Sequence, residues 1–412
     1  MDENQVHSEL VTGNIEIRKW WHRRWVKIFG ICLVFLAIFT ITLGLVLKIV
    51  ILGPKQAETS VASTTATESL ATLPTTSQEI IEISTTTTTT TELPPLTTET
   101  ARITSSAQQQ INDNSKWEQD GITVAGGNGP ENQIHLLVYP QGLYIDDDNQ
   151  RMFIADLGNR RIAEWKYGAT SGEVVAGGNG HGNQINQLHE PRSVTFDKKN
   201  QSLIVCDYCN KRVVRWFYRT NINPQIIISN INCYDVKLDR NGGIYVSDWA
   251  ENEVTRWTEN GVHEAYVAGG NEPGNGFEQL NNPTNIFVNE DYSVYVTDQN
   301  NHRVMKWSRG AREGIVIAGG NGQGHDLNQL HGPSGVAADR FGNVYVADCS
   351  NHRVMRWLLG AKEGTIVVGG NGAGNKANQF NCPIGLSFDR ESNLYVSDFH
   401  NHRVQKFDRI VE

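Results

Sequence analysis

Residues 319–357, GGNGQGHDLNQLHGPSGVAADRFGNVYVADCSNHRVMRW, decide the fold. They hold three short β patterns: residues 334–338 after Pro333, residues 344–347 after the turn Arg340-Phe341-Gly342-Asn343, and residues 353–357 ending on Trp357. Each is rich in Val, Ala or aromatics and is bounded by Gly, Asn, Asp or Pro. A fourth pattern, residues 365–368, precedes the next Gly-Gly, and the unit then starts again.

Outward from this stretch the unit recurs, and repeats of this length govern the whole fold. The Asp that ends the second strand pattern returns at Asp156, Asp207, Asp248, Asp298, Asp348 and Asp398. Five of the six have an Asn three residues on: Asn159, Asn210, Asn301, Asn351 and Asn401. In the same five an Arg follows by two more: Arg161, Arg212, Arg303, Arg353 and Arg403. Gly-Gly-Asn recurs from Gly126, Gly177, Gly269, Gly319 and Gly369. The third unit is shorter, lacks the Gly-Gly-Asn before its first strand, and reads Glu251-Asn252-Glu253-Val254 where others read Asn-His-Arg-Val. Four short strands per unit, six times over, predict an all-β propeller. The last unit has only three patterns, residues 385–388, 394–397 and 403–407, while a lone pattern at 122–125 precedes the first. The N-terminal strand is therefore expected to complete the last blade, which removes exposed edges.

The sequence Pro-x-Gly-Val, Tyr-Val-Ala-Asp, Asn-His-Arg-Val resembles the NHL repeat, carried most clearly by Pro333, Tyr345-Val346-Ala347-Asp348 and Asn351-His352-Arg353-Val354. The resemblance covers roughly residues 121–412 and implies a six-bladed ring. Some proteins of that group are ubiquitin ligases with a RING and coiled coil, some bind RNA on one face, and one relative is a zinc-dependent peptide-amidating lyase. No Cys/His zinc framework of the RING kind precedes the repeats here. The histidines of the lyase match no convergent positions. The formal net charge of −9 does not suit a phosphate-backbone binder. The expectation is a recognition or adhesion module for an extracellular protein or glycan ligand, with no catalysis, no cofactor and no nucleic-acid partner. A lyase-like enzyme and an RNA-binding or ligase-type scaffold are the alternatives.

Ahead of the propeller domain (121–412) the chain divides into three. Residues 1–27 end in a basic cluster of Arg18, Lys19, Arg23, Arg24 and Lys27. Residues 28–47 carry no charge, and such a run reaches about 30 Å as a helix, the thickness of a hydrocarbon core. Lys48 can snorkel, so the span is set at 28–52. The basic flank places the N-terminus in the cytoplasm, and Trp20, Trp21 and Trp25 suit the interface. This predicts a single-pass type II anchor in the cell membrane, with the propeller outside. Residues 53–120 include a Thr/Ser-rich stretch with seven consecutive Thr from Thr85 to Thr91. Such a segment buries no core and reads as an O-glycosylated stalk or a plain linker.

Several motifs invite chemistry. Six copies of Asp-x-x-Asn-x-Arg are read as structural, since one ring does not need six catalytic sites. His302, His352 and His402 fall on different blades, with Arg160 and Lys211 in the same slot, so exposed side chains and no metal are expected. Asp146-Asp147-Asp148 reads as an acidic turn, and Asn200-Gln201-Ser202 as a glycosylation sequon in a turn. Strand order predicts disulfides Cys209–Cys233 and Cys349–Cys382 between neighbouring blades, leaving Cys206 as a buried thiol. The loops after the landmark Asp vary where the repeat does not require it. Tyr208, Trp249, Gln299, Asn300, Phe399 and His400 are therefore the candidate ligand residues. The aromatics among them could equally cover the joints between blades.

Overall fold

The computed structural model describes residues 115–127 and 136–411. The tail, the membrane span and the stalk up to residue 114 lie outside them. Among the described residues no helix is long and apolar enough to cross a membrane.

Six four-stranded antiparallel sheets form the six blades. Blade 1 runs Pro140–Asp146, Arg151–Asp156, Arg161–Lys166 and Glu173–Gly177. Blade 5 runs Val336–Ala338, Val344–Asp348, Arg353–Trp357 and Thr365–Gly369. The first strands of all six blades contribute to one common cavity, so they surround the axis. Middle strands such as Val344–Asp348 are buried along their whole length. They read as continuous apolar runs because a neighbouring blade covers each face. The core accordingly lies between blades: Tyr345, Val354 and Val368 of blade 5 pack with Phe380, Leu394, Val396 and Phe407 of the blade 6 region.

The ring has two faces. Hairpins joining first to second strands turn on one, the hairpin face. Turns after the landmark Asp, and the loops crossing from blade to blade, lie on the other, the Asp-turn face. Five of the six fourth strands end there on glycine, blade 2 ending on Ser229: Gly319 has φ +66°, and a Cβ on it would stand 2.5 Å from the His302 carbonyl oxygen. That approach accounts for the recurring Gly.

Ile122–Gly126 completes blade 6, with Ile122 opposite Lys406 and Gly126 opposite Arg403. Closure is thus as the strand count predicts. A second clasp extends it, Lys116–Trp117 pairing with Arg409–Ile410. The Trp117 side chain is buried, 5.8 Å from the Tyr345 ring and 6.0 Å from that of Phe388. Its indole N–H donates to the Ser392 carbonyl at 2.9 Å. The Lys116–Trp117 strand lies within the stretch 53–120 assigned to the stalk on sequence, the rest of which up to residue 114 falls outside the described residues. A two-residue strand among polar neighbours carries no periodicity, which is why composition hides it.

Cys349 is bonded to Cys382, as expected. The other bond joins Cys206 to Cys233, correcting the Cys209–Cys233 pairing; Cys209 keeps the free thiol. Register is the reason. Cys349 follows its landmark Asp and Cys382 precedes the first residue of its strand. Cys206 instead precedes Asp207, and Cys233 stands opposite Asp248 just as Pro383 stands opposite Asp398. Both partners are therefore seated deeper, fully buried, while Cys209 lies in the exposed turn.

Candidate functional site

The landmark Asp side chains are consumed by structure. Asp348 Oδ1 accepts the His331 N–H at 2.7 Å, while Oδ2 accepts Asn351 Nδ2 and Arg353 Nε, each at 2.8 Å. Arg353 then donates to the carbonyls of His325, Asp326 and Gln329 at 2.8, 3.1 and 3.1 Å. The Asp–Arg pair thus staples the long crossing loop to its blade. Arg212, Arg303 and Arg403 repeat the arrangement. The third unit lacks the loop and lacks the Arg, and the two absences share one cause. There Asp248 accepts the N–H groups of Asn232, Ala250 and Glu251 instead. Glu253, in the place of the Arg, has its carboxyl pushed up to about 7 by burial and by the nearby carboxylates Asp248 and Glu251.

The repeated histidines are not the exposed side chains expected from Arg160 and Lys211. They are half-buried, and each Nδ1 accepts a backbone N–H from the next blade. His302 takes Gly332 at 3.2 Å, His352 takes Cys382 at 3.2 Å, and His402 takes Tyr139 at 3.1 Å. In blade 3 Asn252 Oδ1 does the same for Asn282 at 2.8 Å. Burial lowers the affinity of all three histidines for a proton. An acceptor at this slot latches neighbouring blades together.

The candidate ligand residues occupy the Asp-turn face of four blades, with Gln299 and Asn300 sharing blade 4 and Phe399 and His400 sharing blade 6. Tyr208 is half-buried beneath Arg192, whose guanidinium lies 3.9 Å from its ring and 4.7 Å from that of Tyr234. Trp249 is half-buried, and its carbonyl accepts Asn282 Nδ2 at 3.0 Å. Gln299 begins a single short turn, and Asn300 hydrogen-bonds the side chains of Asn281 and Asn282. Phe399 and His400 gather with two residues that sequence reasoning did not single out for ligand binding. The Tyr139 ring lies 5.0, 5.9 and 4.7 Å from those of Phe399, His400 and His402. Tyr139 is 38% exposed, so this cluster covers the joint between blades 6 and 1 and still offers aromatic surface. Its Val-Tyr-Pro context places Tyr139 immediately before a first strand, the one signal that could have marked it.

Around the axis the first strands are stitched together. Ser193 bonds Asp235, which accepts the Ile286 N–H at 2.9 Å and pairs with Lys237 at 2.8 Å. Ser334 Oγ donates to Asn285 Oδ1 at 3.2 Å, and Ser397 Oγ to the Gln141 carbonyl at 2.6 Å. On the hairpin side of this belt the axis holds a cavity of about 340 Å³, lined mainly by apolar residues such as Leu143, Val194, Phe287 and Phe388, with Lys237.

Among the described residues, two clusters of carboxylate or thiol side chains lie on opposite faces of the ring. Asp147, Asp389 and Glu391 meet on the hairpin face, but Asp147 already accepts Tyr167 and the Arg390 N–H, and Asp389 accepts Asn393. Asp148 of the acidic turn is held by Lys198 and Arg390. On the Asp-turn face His189, Glu190 and Cys209 bring one ligand atom each within 4.8 Å of the others. Burial and Glu190 push the Cys209 thiol up to about 11. The sequon Asn200 lies in the hairpin-face turn of blade 2, its amide bonded to Asp197 at 2.7 Å.

Residues 330–356 and 380–407 match the sequence model of the NHL repeat. The ring is an NHL-repeat β-propeller. No curated protein sequence matches the chain. Among solved structures it is similar to a structural-genomics protein of unknown function from Bacteroides thetaiotaomicron VPI-5482. That likeness has a TM-score of 0.58 at 15% identity, over 72% of this chain and 77% of that one. It is also similar to an auxiliary nutrient binding protein from the same organism, with a TM-score of 0.55 at 15% identity, over 71% and 77%. At this identity the likeness is one of fold.

Proposed function

We propose that this NHL propeller is a non-catalytic recognition module, held outside the cell by a type II membrane anchor, that binds a protein or glycan ligand on its Asp-turn face. The observation that carries the proposal is the aromatic cluster of Tyr139, Phe399, His400 and His402. It stands on a ring whose blades are stapled and latched, and rigidly presented aromatics are the usual anchors of recognition surfaces. The chain joins the ring on the opposite face, where Trp117 packs against Phe388 and Ser392. A sugar on Asn200 would also stand on that opposite face. Neither point of attachment lies on the Asp-turn face. Engagement of the landmark Asp residues in loop staples supports a role without acid–base catalysis. A binding role is one this fold carries elsewhere, as the auxiliary nutrient binding protein illustrates.

The test is to screen residues 53–412 against an oligosaccharide array and a panel of extracellular protein domains. Binding to the hits is then measured for Tyr139→Ala with Phe399→Ala. A loss of at least about tenfold, roughly 1.4 kcal/mol, with an unchanged melting curve is expected. Undiminished binding by the folded variant would remove the Asp-turn cluster as the site.

A further inference from the structure

We propose that His181, His189, Glu190 and Cys209 bind a zinc-type divalent cation on the Asp-turn face of blade 2. The inference is independent of which ligand the propeller recognises.

His189, Glu190 and Cys209 converge with one ligand atom each inside 4.8 Å. His181 stands beside this group rather than within it, its Nε2 3.2 Å from His189 Nε2, and would swing in as the fourth ligand. Two imidazole nitrogens bound to one tetrahedral zinc, at about 2.0–2.1 Å each, stand roughly 3.3–3.4 Å apart. The donors are nitrogen, oxygen and sulfur, the set that favours a borderline-soft ion over calcium or magnesium. Glu190 also lies 3.7 Å from Arg192, but a carboxylate has two oxygens and can serve both.

The other blades supply an internal control. The second residue after the landmark Asp donates its N–H to the carbonyl of the residue two before the Pro that leads into the first strand, in blade 2 from Cys209 to His189 at 3.1 Å. In blade 4 the same contact joins Asn300 to Asn281 at 3.2 Å, and in blade 5 Ser350 to His331 at 3.2 Å. The scaffold is therefore common to the ring and needs no metal. Blade 4 fills the three positions with Asn300, Asn281 and Asn282, whose side chains bond one another. Blade 5 sets Gln323 against His331 at 2.8 Å where blade 2 sets His181 against His189. Only blade 2, among the described blades, fills these positions with His, His, Glu and Cys together. Ring geometry does not call for that substitution, and metal ligation does.

The backbone under the site is already fixed. The His189 N–H donates to Asp207 at 2.7 Å, and Asp207 pairs with Arg212 at 2.7 Å. Arg212 in turn holds the carbonyls of Asn183, Gln184 and Gln187 in the loop that carries His181. Little order remains to be imposed on binding.

The experiment titrates cobalt(II), then zinc, into the 412-residue chain under non-reducing, metal-free conditions. Cobalt is expected to bind one to one, with thiolate-to-cobalt absorption in the near ultraviolet and the visible bands of a tetrahedral site. Zinc should bleach these bands and shield Cys209 from alkylation in the folded chain. Cys209→Ser should abolish the charge-transfer band, and His189→Gln should weaken binding at least tenfold. Cys209 is exposed and unbonded, so Cys209→Ser should melt as the parent does in metal-free buffer, which separates lost ligation from lost fold. Absence of the cobalt bands, equal binding by folded Cys209→Ser, or binding only at millimolar metal would each overturn the proposal.

Discussion

His302, His352 and His402 show what a repeated residue does when its chemistry is set aside. Each is a neutral acceptor at a blade joint, and Asn252 proves that titration is incidental to the job. A neutral hydrogen bond of this kind contributes about 1 kcal/mol. Protonation at Nδ1 would place N–H against N–H and lose it. Burial lowers the folded-state pKa of each histidine below its ordinary 6.5, so the unfolded chain takes up protons first on acidification. The latch contribution is therefore complete above pH 6.5 and is lost as pH falls through the lower folded values. The triple variant His302→Asn, His352→Asn, His402→Asn keeps an acceptor at each joint and removes the titration. Melting temperatures taken between about pH 7 and pH 5 should decline less steeply for this variant than for the parent. Parallel slopes would show that the latches do not report pH.

Trp117 occupies a two-residue strand, yet it seals the ring where Tyr345, Phe388 and Ser392 meet. It marks the boundary of what a sequence displays. Whatever recurs was legible. The blades, the closing strand Ile122–Gly126, and the structural role of the Asp-x-x-Asn-x-Arg set all rest on several aligned copies. What occurs once was not. The clasp has no second copy. The Cys206–Cys233 bond depends on a register that strand order alone leaves open. The Tyr139 cluster joins residues more than 250 positions apart in a chain that must first close on itself. Even the histidines were legible as repeats but not as acceptors, because their partners are backbone groups with no sequence signature. Trp117→Ala should cost about 3–5 kcal/mol if the clasp is part of the cooperative unit, with a clear drop in the denaturation midpoint. A midpoint equal to that of the parent would mean that the ring is sealed by Ile122–Gly126 alone.

At the scale of the whole chain, the described residues enter the ring from its hairpin face. The described chain reaches the ring at Ser115, runs through Lys116–Trp117 on the hairpin face, and only then forms the closing strand of blade 6. The two inter-blade disulfides are bonds that form in an oxidising compartment, and the proposed type II orientation has a direct test. For cells expressing the chain with a tag at each end, protease added outside should release the C-terminal tag with the propeller and leave the N-terminal tag protected. An endoglycosidase should shorten the released fragment through Asn200, and Asn200→Gln should abolish that change. Protection of the C-terminal tag would reverse the orientation. Release with no glycosidase shift would keep the orientation and show that burial of Ser202 in the strand, together with the Asn200–Asp197 bond, forms before the sequon can be used.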